Sequence, residues 1–243
     1  MFCLPPPPDV PYGDPGPSLG IRLLTRLRDS RRVWDMMGFL YNRGINGILT
    51  PLTHFIAGEI KTSGRALILD IGAGRGYLSL VVAAKNPEAH VIGIDYSINQ
   101  VREAQRYGAQ RKVVNCSFTR CDAMDIPFQN ENFDAAVSVG SIKHWPDARR
   151  GLLEIHRVLK PGSCLMIAET DREATDDALK DFVKRFRLRF VPDRLHFWGL
   201  RHVIFGQSFS KEELAGEVVA AGFRDVQCLR VPACPYVIVK ARK

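Results

Sequence analysis

The spacing of apolar positions changes character several times along the chain. Residues 1–18, opening MFCLPPPPDVPYGDPGP, show no periodicity and are crowded with proline and glycine. Such a stretch cannot bury a face and is expected to be a flexible arm. From Leu19 the apolar residues Ile21, Leu24, Leu27, Val33 and Trp34 alternate with arginines at helical intervals. The run through Ile60 predicts two or three short helices, one starting at Thr50-Pro51, because proline suits a first helical turn.

Beyond Gly64 the pattern becomes that of strands alternating with helices. ALILDIG is a short apolar run rich in branched residues, as in a strand buried on both faces. YLSLVVAAKNP reads as a helix ending near Pro87, HVIGIDYS as a second strand and INQVREAQRYGAQ as a polar-faced helix. SFTRCDAMD, FDAAVSVGS and SCLMIAET supply three more strands. Between the last two lies DARRGLLEIHRVLKPGS, a helix expected to stop at Pro161-Gly162. This alternation implies right-handed βαβ units and a doubly wound parallel sheet.

Residues 171–209 break the rhythm. DREATDDALKDFVKRFRLRF predicts one long amphipathic helix, with Leu179, Phe182, Val183, Phe186 and Phe190 on one face. A loop carrying Phe197, Trp198, Phe205 and Phe209 is expected next. SKEELAGEVVAAGF then starts with a capping box, Ser210 to Glu213, and FRDVQCLRV and YVIVKAR close the chain as strands.

Composition narrows the reading only slightly. The 243 residues, 46% of them hydrophobic, suit a single domain over 19–243 behind the arm. The net charge of +8 is spread out, so nucleic acid, an anionic small molecule and a membrane surface all stay open as partners. None of the six cysteines shows C-x-x-C spacing, which argues against a zinc cluster, and no metal is expected. No apolar run reaches the ~20 residues of a membrane span. The opening stretch lacks the basic and apolar regions of a secretory signal, so the cytoplasm is the expected compartment.

The chemistry concentrates after the first strand. Gly72-Ala73-Gly74-Arg75-Gly76 is G-x-G-x-G, not the dinucleotide spacing G-x-G-x-x-G. Asp70 stands just before the loop, where it would repel a pyrophosphate and favour a cationic ligand. S-adenosylmethionine, with a sulfonium, an ammonium and no phosphate, fits that sign, and glycines let the backbone come close to it. Asp95, ending the second strand, can accept both ribose hydroxyls, and Tyr96 can lie against adenine. Asp122, ending the third strand, can accept from the adenine amino group while Ala123 or Met124 offers a backbone N–H.

Taken together, LDIGAGRG, GIDYS, DAMDIPFQNENFDAAVSVGSIKHWPD and EIHRVLKPGS resemble the class I S-adenosylmethionine-dependent methyltransferases. The look is that of the small-molecule group with ubiquinone-synthesis-like and sterol-like members, and it covers roughly Arg65–Gly162. The resemblance implies a Rossmann-like α/β sheet of seven strands, order 3-2-1-4-5-7-6, the last antiparallel, under a helical lid. It places Asp70, Gly72, Ala73, Gly74, Gly76, Asp95, Tyr96, Asp122, Ala123, Met124, Gly140 and Ser141 at the cofactor. It also implies methyl transfer by in-line displacement, where positioning supplies much of the acceleration.

A hydroxyl acceptor would profit from a base, and His144, just past the fourth strand, is the candidate. Tyr41, His54, His196 and His202 are weaker candidates. Segments 19–58 and 171–209 are expected to cover a small-molecule acceptor. The basic residues between Lys180 and His202, with nearby aromatics, suit an anionic or aromatic one or an acidic lipid surface, and equally the solvated face of an ordinary amphipathic helix. Two rivals stand beside this reading. A nucleic-acid methyltransferase would share the cofactor half, but SVGSIKHW lacks the N/D-P-P-Y/F tetrapeptide of many base-amine enzymes. A regulatory protein could bind the cofactor without turnover. The oligomeric state is left open.

Overall fold

A computed structural model describes residues 19–21, 23, 49–62, 64–185, 191–232 and 234–243. The arm 1–18, most of the arginine-rich stretch with Tyr41, and Phe186 and Phe190 lie outside the described residues.

The first described helix of any length is α1 (Thr50–Glu59), with Pro51 in its first turn as expected. There follow β1 (Leu67–Ile71), α2 (Tyr77–Lys85), β2 (His90–Asp95), α3 (Ile98–Gln110), β3 (Cys116–Arg120) and β4 (Phe133–Val139). A short 3-10 turn, Ile142–His144, leads to α4 (Ala148–Val158) and β5 (Leu159–Thr170). Then come α5 (Asp176–Arg185), α6 (Asp193–Gly199), a π-helical turn at Leu200–Phe205, α7 (Lys211–Ala220), β6 (Arg224–Leu229) and β7 (Tyr236–Arg242). The strands form one sheet, β3-β2-β1-β4-β5-β7-β6, as expected. β1 to β5 pair in parallel, and β7 runs antiparallel to both its neighbours.

Both faces of the sheet are covered, which is why its strands read as continuous apolar runs. Ile68, Val137, Met166, Ala168 and Ile238 meet α1, α2 and α5 on one face. Leu69, Ala136, Leu165, Ile167 and Val237 meet α4 and α7 on the other. Ser210 accepts from Glu213 N–H while the Glu213 carboxylate takes Ser210 N–H, so the capping box forms. Among the described residues no helix is long and apolar enough to cross a membrane.

Two expectations need correction. The helix before β5 ends at Val158, because Leu159 is extended and already pairs with Phe133. The strand then runs on through Pro161-Gly162, with a register irregularity absorbing the turn. The expected loop with Phe197, Trp198 and Phe205 is helical, as α6 and the π-helical turn. Its buried members, His196, Leu200 and Phe205, are too irregularly spaced for an α-helical stripe, so the sequence pattern hid it.

The order β1-β4 at the centre is the point where successive crossovers leave in opposite directions. Loops after β1 and β4 therefore part at their carboxyl ends and open a crevice, the place where sheets of this kind bind ligands.

Candidate active site

Two cavities lie in that crevice. The first is lined by Leu49 and Thr53 from α1, Asp70, the loop from Gly72 to Arg75, Tyr77, Asp95, Val139 to Ser141, Lys143, His144 and Tyr236. The second is lined by Ile71, Ile94, Tyr96, Ser97, Cys121 to Met124, Trp145 and Pro146. Gly72, Asp95, Ser141 and His144 belong to both and form the wall between them. Of the residues expected at the cofactor, all but Gly76 line one cavity or the other.

The wall is built by close packing. Gly72 has φ +70, and a Cβ there would sit 1.9 Å from the Ser141 hydroxyl. Ser141 Oγ in turn accepts from Trp145 Nε1 at 2.9 Å, and the Trp145 ring occupies the space above Gly151. The glycine at 72 thus admits a serine, not only a ligand. Gly76 plays a similar part in the core: a Cβ there would meet the Phe118 ring at 2.4 Å.

Asp95 is held by the backbone around it. One carboxylate oxygen accepts Gly74 N–H at 2.8 Å and the other Ser97 N–H at 2.9 Å. Asp70 is 1% exposed and accepts from Ser79 Oγ at 2.5 Å. Burial pushes its carboxyl up to about 7; the Ser79 hydrogen bond pulls the other way and the nearby Asp95 charge adds to the rise. A cation placed in the first cavity would return Asp70 to its ionised form.

Asp122 lies beyond the end of β3, in a short bridge with Asp125, and accepts Met124 N–H at 3.0 Å. Arg150 on α4 donates to the Met124 carbonyl at 2.9 Å and fixes this loop as a wall of the second cavity. Tyr96 is 37% exposed, with the Arg120 guanidinium 5.3 Å from its ring centre. His144 closes the 3-10 turn, its backbone N–H donating to the Ser141 carbonyl at 2.9 Å, and it lines both cavities.

Other candidates fall elsewhere. His54 is exposed on α1, His196 is buried in α6 and His202 packs near Trp198; none of the three lines either cavity. Among the described residues of 171–209 none lines either cavity. Phe205 of this segment packs behind the first one, its ring meeting that of Tyr236 edge-on at 6.3 Å.

The sequence reading overlooked Lys143, Glu169, Trp145 and Tyr236. Lys143 Nζ and Glu169 Oε1 lie 2.5 Å apart, the two side chains only 4% and 0% exposed. A lone acid near the end of the apolar run SCLMIAET was the available signal.

Comparison with known proteins bears on the family and the fold. A family model described as a methyltransferase domain matches residues 63–204, more than half of the chain. The chain belongs to the class I S-adenosylmethionine-dependent methyltransferases. An O-methyltransferase of Aspergillus sclerotiorum is 35% identical to this methyltransferase over 141 residues, covering 56% of this chain and 53% of that one. The chain thus spans about half the length of that relative. Phosphoethanolamine N-methyltransferase 2 of Haemonchus contortus, solved in complex with S-adenosyl-L-methionine, shares the fold. It covers 90% of this methyltransferase and 60% of its own chain, with a TM-score of 0.61 and 19% identity. The [4+2]-cyclase SpnF is equally near in fold, with a TM-score of 0.61 and 23% identity over 79% of this chain and 80% of its own.

Proposed function

We propose that this methyltransferase binds S-adenosylmethionine across the two cavities and methylates a small-molecule acceptor. The observation that carries the proposal is Asp95 in the shared wall, both oxygens preset by backbone N–H groups. In this reading Asp95 takes the ribose hydroxyls. Tyr96, Asp122, Ala123 and Met124 enclose the adenine in the second cavity, and Asp70 with the loop from Gly72 to Gly74 faces the methionine end in the first. The donor set fits: the ligand's positive charges meet two carboxylates, one of them poised to ionise near neutrality.

When bound, S-adenosylmethionine supplies a methyl group on a sulfonium. The protein's own contribution is placement, with Gly140, Ser141 and His144 bordering the point where the cavities meet. His144 is positioned to take a proton from an acceptor hydroxyl. The O-methyltransferase relative favours an oxygen as the methylated atom.

Calorimetric titration with S-adenosylmethionine and, separately, NAD tests the reading. The expected result is micromolar binding of the first alone, weakened about a hundredfold in Asp95→Asn, since hydrogen bonds to a charged group are worth roughly 1.5–3 kcal/mol each. Binding of NAD, or of neither, would overturn it.

A further inference from the structure

Lys143 and Glu169 come from different elements, the 3-10 turn after β4 and the end of β5. Pairing of β4 with β5 brings them together. A buried ion pair brings little stability of its own, because desolvation offsets the attraction. Here the two partners are unequally satisfied. Glu169 Oε1 accepts from Lys143 Nζ, from Thr170 N–H at 2.7 Å and from Thr170 Oγ1 at 3.1 Å, and Oε2 accepts Lys143 N–H at 3.3 Å. Burial would raise its carboxyl, but the Lys143 charge and hydrogen bond, the His144 charge and Thr170 N–H outweigh that and hold it below the ordinary value. Glu169 is therefore a fixed anion.

The Lys143 ammonium has three donors, and the only acceptor for it among the described residues is Glu169. Two N–H groups of a side chain that is 4% exposed are left over, on a residue that lines the first cavity. An unmet buried donor on a charged group is costly, so such a group is kept where a ligand meets it. Glu169 ties the ammonium to β5, across β4 from the glycine loop that follows β1. Apolar or aromatic neighbours in the same cavity are Leu49, Val139 and Tyr236.

We infer that Lys143, held by Glu169, receives an anionic oxygen of the acceptor, so that the acceptor class is an acidic hydroxyl compound such as a phenol rather than an amine. The inference rests on the proposed function and names its substrate class. A fixed ammonium repels a protonated amine. It favours the ionised form of a phenol, whose proton His144 takes on binding and passes on to solvent. It also sets the nucleophilic oxygen beside His144, the next residue along the wall.

The test uses 4-nitrophenol, whose phenolate absorbs at longer wavelength than the neutral form. The probe is titrated into the 243-residue chain saturated with S-adenosylhomocysteine, at a pH below the probe's own pKa. Wild type is expected to convert bound probe to the phenolate band. Lys143→Met should abolish that conversion while binding S-adenosylhomocysteine within about twofold of wild type. Because Lys143→Met strands a buried carboxylate and can unfold the protein, the paired variant Lys143→Met/Glu169→Gln, checked by thermal melting, carries the same prediction. Absence of a phenolate band in wild type, or its persistence in the paired variant, overturns the inference. Loss of S-adenosylhomocysteine binding in the paired variant also overturns it, by assigning Lys143 to the carboxylate of that ligand. Failure of wild type to bind S-adenosylhomocysteine is a failure of the proposed function itself.

Discussion

The two cavities share a wall and differ in what they can hold. The first places Asp70, Arg75 and Lys143 around its margin, all deeply set or partly buried. The second has two carboxylates, Asp95 and Asp122, in a lining that also carries Ile71, Ile94, Ala123, Met124 and Trp145. One suits a charged, zwitterionic end and a reacting centre. The other suits a flat, neutral ring. Under the proposed binding mode the difference makes binding and chemistry separable: a change in the second cavity should alter affinity without touching pH dependence.

The wall itself offers the strongest way to break that separation. Gly72→Ala forces a Cβ into Ser141 at a backbone angle that disfavours any side chain. A cost on the order of 3 kcal/mol is expected, with both cavities impaired. Adding Ser141→Gly should recover part of the melting temperature by removing the clash, and a double variant no better than the single one would show that backbone strain dominates.

A smaller effect isolates the first cavity. Asp70 is raised to about 7 in the folded protein, above the usual carboxylate value. Its proton-bound form is thus favoured by folding, and the associated stability, complete at low pH, is lost as pH rises through about 7. Binding of a cation runs the other way: S-adenosylmethionine affinity should increase about tenfold from pH 6 to pH 8, as Asp70 ionises. Asp70→Asn should flatten that slope. Adenosine alone, confined to the second cavity, should bind with no such slope in either protein, and a slope for adenosine would break the comparison.

The smallest effect belongs to the second cavity. Trp145→Phe keeps the ring that packs over Gly151 and removes the bond to Ser141. A loss of about 1 kcal/mol in adenosine binding is expected by calorimetry, with the pH response of the S-adenosylmethionine titration unchanged.

Much of this was legible in the residue pattern. The strands announced themselves because both sheet faces are covered, so ALILD and VIGID carry no polar residue until their carboxyl ends. Asp70 and Asp95 stand out for the same reason. What escaped the pattern depends on contacts between residues far apart in the chain. Gly76 reads as part of a ligand loop, yet the atom it makes room for is on Phe118 in β3. Lys143 reads as one more surface lysine until β4 and β5 lie side by side and Glu169 meets it. The helix at Asp193–Gly199 was hidden because its buried face is short and passes directly into a wider π turn.

The irregular pairing of β6 has a consequence for how the molecule behaves in a crowded solution. β6 is a border strand, and a straight border would offer its free backbone groups to any extended peptide. Here the register against β7 shifts between Arg224 and Gln227, and Asp225 adopts φ +51. The kink and the exposed charges interrupt the ladder where a foreign strand would have to join it. The distortion at this border thus works against strand addition there.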